Sequence, residues 1–74
     1  MSGEETSRTP TNQLVRAGLE EQSQARRTGE PTHYTRSERA LRQALAQDPN
    51  DVRALIGLAS LANTRHHFRE GLAL

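Results

Sequence analysis

The stretch Tyr34–Leu74, YTRSERALRQALAQDPNDVRALIGLASLANTRHHFREGLAL, decides the reading of this chain. Two helical patterns meet in it across the turn Asp48-Pro49-Asn50-Asp51. In the first, Tyr34, Ser37, Leu41, Ala44 and Leu45 recur at spacings of three and four and so share one helix face. Arg36, Arg39, Arg42 and Gln43 fall mostly on the other faces. Pro49 removes a backbone donor and disfavours helix at the residue before it. Asn50 or Asp51 then caps a further helix, about Asp51–Thr64. Its apolar residues (Val52, Ala54, Leu55, Ile56, Leu58, Ala59, Leu61, Ala62) cover more than one face, so neighbours are expected on two sides. The pair His33-Tyr34 returns as His67-Phe68, from position 34 to position 68, an interval matching one helix–turn–helix unit of a solenoid.

Upstream, Thr11–Thr28 reads as the first helix. Thr11 or Asn12 is the expected cap, and Leu14, Ala17 and Gly18 form a short apolar stripe flanked by Val15 and Leu19. Glu20-Glu21-Gln22-Ser23-Gln24 is polar all round and is expected to project into water. Arg26 and Arg27 suit a helix C-terminus, Gly29 suits a left-handed cap, and Pro31 bars continuation. Glu30–His33 then reads as a connector, with Thr35 and Glu38 at capping-box spacing and Thr32 or His33 as other caps for the second helix. Arg65-His66-His67 reads as a further connector, and Phe68–Leu74 as the opening of a short fourth helix. Met1–Pro10 has no apolar anchor beyond Met1 and is expected to be a disordered tail.

Composition narrows the function classes. Seventy-four residues make one small domain at most, and at 32% apolar with two aromatics its core is small. Marginal stability alone, or stabilisation by a partner, follows. Without cysteine, neither a disulfide framework nor a thiolate zinc site can form. A net charge of +1 with interspersed signs gives no expectation of nucleic-acid binding. All ten basic residues are Arg, which is read first as genomic base composition and second as anion recognition. No apolar run approaches a membrane span, and the polar N-terminus is not a secretory signal, so a cytoplasmic location is expected.

These residues resemble a tetratricopeptide repeat. Tyr34, Leu41, Ala44 and Pro49 match the second-helix half of one repeat, with Ser37 where the family prefers alanine. Leu55, Leu58, Ala59, Phe68 and Gly71 match the first half and opening of the next. Leu14, Ala17 and Gly18 resemble the earlier first-helix signature but precede Leu55, Leu58 and Ala59 by seven residues more than one repeat, which places an insertion within residues 20–32. An extended first helix or a longer connector would hold it. The stretch Gln24–Tyr34 looks like that of actinobacterial-type tetratricopeptide proteins. The resemblance implies an all-α domain over residues 11–74, built from antiparallel helical hairpins with three helices plus a short fourth. About one and two thirds repeats are present, where about three are usual.

The resemblance also implies protein–protein interaction, with a peptide or partner helix bound on the first-helix face. In the third helix that face carries Arg53, Ile56, Ser60 and Asn63, with Thr64 at its edge. An Arg can pair a carboxylate, an Asn can bond a backbone, and Ile56 supplies apolar contact. The bland reading is a solvated face with one stray Ile. Phe68, Leu72 and Leu74 would form an uncapped apolar end, for which a twofold homodimer is the simplest closed solution. His33 and His67 occupy equivalent repeat positions, and no carboxylate is set beside the connector pair His66-His67 by sequence, so the histidines are read as structural and no metal or cofactor is expected. With no Gly-rich phosphate loop and no nucleophile–base pairing, enzymatic chemistry is not expected. A helix-turn-helix DNA-binding regulator is the rival from another class, opposed by the apolar run 54–59, which is unlike a recognition helix. The other rival is a structural fragment of a longer solenoid.

Overall fold

The computed structural model describes residues 9–73, without the side chains of Phe68, Leu72 and Ala73. The described residues are all-α and form three helices: α1 (Thr11–Thr28), α2 (Pro31–Gln47) and α3 (Val52–Ala73). The segment expected as a fourth helix is helical but joins α3 without a break, so Arg65-His66-His67 is helix and not connector. Those three residues include no glycine or proline, and nothing local stops the helix there.

The helix ends follow from local chemistry. Gly29 closes α1 in the left-handed conformation, φ 75°, and donates its N–H to the Ala25 carbonyl at 2.8 Å. Pro31 is the first residue of α2, where a fixed φ helps and a missing N–H is harmless. The expected connector Glu30–His33 therefore shrinks to Gly29-Glu30, and Thr32, His33 and Thr35 lie inside the helix. Asp48-Pro49-Asn50-Asp51 is a turn closed by the Asp51 N–H on the Asp48 carbonyl at 3.1 Å, with proline in its favoured second place. Asp51 caps α3, its Oδ1 accepting the N–H groups of Arg53 at 3.0 Å and Ala54 at 3.3 Å. At α1 neither expected cap acts. Pro10 precedes the helix, the Thr11 hydroxyl donates to Gln47 Oε1 at 2.9 Å, and the Asn12 side chain turns to Arg53. Both side chains tie helices together instead. Of the expected tail, Met1–Arg8 lies outside the described residues, and the Thr9 carbonyl accepts from Gln47 Nε2 at 2.9 Å.

Helices α1 and α2 form an antiparallel hairpin, and α3 runs antiparallel to α2 and parallel to α1. Leu14, Val15, Leu41, Ala44 and Ala54 make one core cluster, and Ala25, Tyr34 and Leu61 a second, with Leu58 against both. Leu41 is completely buried between two glycines, Gly18 of α1 and Gly57 of α3. The Ser37 hydroxyl donates to the Gly18 carbonyl at 2.7 Å, a bond made possible by that close approach. The polar second half of α1 does not simply project into water: Gln22 and Ala25 are buried, while Ala17 is exposed. In α3 the buried face is Ala54, Gly57 and Leu61. Leu58 is half-buried, and Leu55 and Ala59, expected in the core, are exposed.

Candidate partner-binding groove

Parallel packing of α1 and α3 leaves a groove between them. Its upper part is an open hollow of about 280 Å³ lined by Asn12, Val15, Arg16, Leu19 and Arg53. Val15 forms a buried floor, and Leu19 stands partly exposed above it. Arg53 spans the groove, donating from Nη2 to Asn12 Oδ1 at 2.6 Å and to Asp51 Oδ2 at 3.0 Å. The Arg53 hydrogen bond, helped by the backbone N–H groups of Ala54 and Arg53, holds the Asp51 carboxyl below the usual aspartate range despite its burial. The same pairing raises the Arg53 guanidinium above its ordinary value.

Further along, a polar network stitches the floor. Gln22 Nε2 donates to the Gly57 carbonyl at 3.0 Å, and Gln22 Oε1 accepts from the Ser60 hydroxyl at 2.9 Å and from Arg26 Nη2 at 2.7 Å. Arg26 also donates to Ser60 Oγ at 3.0 Å. These partners are neutral, and among the described residues no carboxylate pairs with Arg26. Arg16 is exposed and has no carboxylate partner among the described residues.

The four residues expected on this face do not behave alike. Ile56, 63% exposed, and Asn63 present open side chains. Ser60 is half-buried in the network, and Arg53 is fixed by Asp51 and Asn12, although 56% of its side chain remains exposed. The expected self-association residues Phe68, Leu72 and Leu74 have side chains outside the described set. Sequence reasoning missed the α1 wall: Asn12, Arg16, Leu19, Gln22 and Arg26. Its only sequence signal is that Asn12, Arg16, Leu19 and Arg26 share one helical side.

Two of the three histidines lie beside carboxylates, Glu70 and Glu30 at helical spacing along the chain and Glu21 from the neighbouring helix. His33 Nδ1 lies 3.1 Å from Glu21 Oε1, its Nε2 lies 3.9 Å from Glu30, and His66 Nε2 lies 2.9 Å from Glu70. Among the described residues, no three His, Cys, Asp or Glu side chains gather to hold a metal ion, and no helix is long and apolar enough to cross a membrane. Comparison with protein-family models, curated proteins and solved structures returns no match.

Proposed function

We propose that this chain is a protein-interaction module of tetratricopeptide type whose α1–α3 groove takes a peptide or partner helix bearing apolar and acidic residues. The observation that carries this reading is the hollow between α1 and α3, where Leu19 stands partly exposed beside Arg16 and Arg53; exposed Ile56 of α3 and the Arg26 guanidinium would extend it. Apolar contact supplies affinity there, and the guanidiniums select carboxylates and set the register. Because Asn12, Asp51 and Gln22 hold the walls in place, a ligand meets a surface whose ordering cost has already been met on folding.

The test is selection of a displayed random-peptide library on the immobilised chain. Enriched sequences should combine acidic with apolar residues, and their binding should be lost in Ile56→Asp and weakened in Arg16→Glu, with circular dichroism unchanged. Binders of basic character, or binders indifferent to both substitutions, would refute the groove. A second reading, association of copies through the outer side of α3, is favoured by Val52 and Leu55, which are 62% and 49% exposed. Light scattering across a concentration series, with Leu55→Glu as control, tests that reading.

A further inference from the structure

A second hollow, of about 250 Å³, lies on the other flank of α3, where the helix passes the start of α2. Gly29, Pro31, Tyr34, Arg65 and Arg69 line it. The arginines stand one helical turn apart and so share a side. Arg65 is already positioned: its guanidinium carbon lies 5.5 Å from the Tyr34 ring centroid, and its Nη1 donates to Glu38 Oε1 at 2.9 Å. Glu38 also accepts from Arg42 Nε at 2.8 Å. One carboxylate thus serves two guanidiniums, so Arg65 is only partly neutralised. Arg69 is exposed and has no carboxylate partner among the described residues. The nearby acids face histidines: Glu70 pairs with His66 at 2.9 Å, and Glu30 lies 3.9 Å from His33. Among the described residues the remaining wall, Gly29, Pro31 and the Tyr34 ring, carries no charge.

We propose that this hollow binds an anionic group, a carboxylate or phosphate monoester, carried on a short apolar or aromatic body. The two guanidiniums supply forked donors for the oxygens. The proline wall, with the small part of the Tyr34 ring that reaches the surface, covers the body. A bare ion would gain little here, because Arg65 is half-neutralised by Glu38 and Arg69 is screened by solvent. The site is separate from the groove and does not depend on it. Its ligand is either a small molecule or the side chain of a protein partner, and both would present the same head group.

The experiment is an NMR titration of the isotope-labelled full chain, following the Nε–Hε signals of its ten arginines. Phenyl phosphate should shift Arg65 and Arg69 saturably and leave the other arginines nearly still. Inorganic phosphate should bind more weakly, and Arg69→Ala should weaken phenyl phosphate by roughly tenfold with the amide spectrum otherwise preserved. A capped phosphotyrosine peptide separates the sources: affinity equal to phenyl phosphate supports a protein partner, and weaker affinity supports a small ligand. Uniform, unsaturating shifts across all arginines would overturn the proposal. So would inorganic phosphate binding as tightly as phenyl phosphate, or an Arg69→Ala chain of unchanged affinity.

Discussion

Leu41 meets a glycine on each side, and the two glycines differ in tolerance. A Cβ built on Gly18 would lie 2.6 Å from Leu41 Cγ and 2.7 Å from its Cδ2, with the Ser37 carbonyl 3.3 Å away. The branch carbon of a completely buried leucine has nowhere to go. Gly18→Ala should therefore destabilise by about 1–3 kcal/mol despite the gain in helix propensity. At Gly57 the nearest atoms are methyl ends, 3.0 Å on Leu41 and 3.3 Å on Leu19, and Leu19 is partly exposed. There alanine's helix propensity, worth up to about 1 kcal/mol, offsets the crowding. Chemical denaturation of both variants should show a clear midpoint loss for Gly18→Ala and a much smaller change for Gly57→Ala. Gly18 and Leu41 were legible in sequence as parts of apolar stripes. That one would seat the other was not, because residue spacing records a face and not its partner.

Among the elements, α1 and α2 were the more readable. Gly29, Pro31 and Pro49 mark their ends by backbone chemistry alone, and only the start of α2 was misplaced, since a proline that ends one helix can also begin the next. The face of α3 was the real loss. Its apolar residues surround the axis, so periodicity could not rank Leu55 and Ala59 against Ala54 and Leu61, which tertiary packing alone put on the buried face. The α1 wall of the groove was hidden for a related reason: Gln22 and Arg26 look like solvated polar residues until Ser60 and the Gly57 carbonyl face them. Within α3, Gly71 has nothing within 4 Å of where a Cβ would sit. Gly71→Ala should raise helicity and stabilise by up to about 1 kcal/mol, less if the end frays. A lower melting temperature in that variant would place the site in a contact.

For the molecule as a whole, acid should loosen the seat of α3. Hydrogen bonds from Arg42 and then Arg65 hold the Glu38 carboxyl below the usual glutamate range, and Arg53 does the same for Asp51. A depressed folded value means that both carboxylates stabilise fully above the ordinary range, near pH ~4. That contribution is lost as pH falls through the depressed values. Melting temperature should drop below this range, and Glu38→Gln should lie slightly lower at neutral pH but flatten the acid fall. An unchanged acid limb would remove the Arg42–Glu38–Arg65 bridge from the account.

Leu41 touches the closing of the hairpin and the docking of α3 at once, through Gly18 on one side and Gly57 on the other. Neither subassembly keeps its interior when the other opens. Native-state amide exchange should therefore give one shared opening free energy around Gly18, Leu41 and Gly57, instead of a protected hairpin beside a loosely protected third rod.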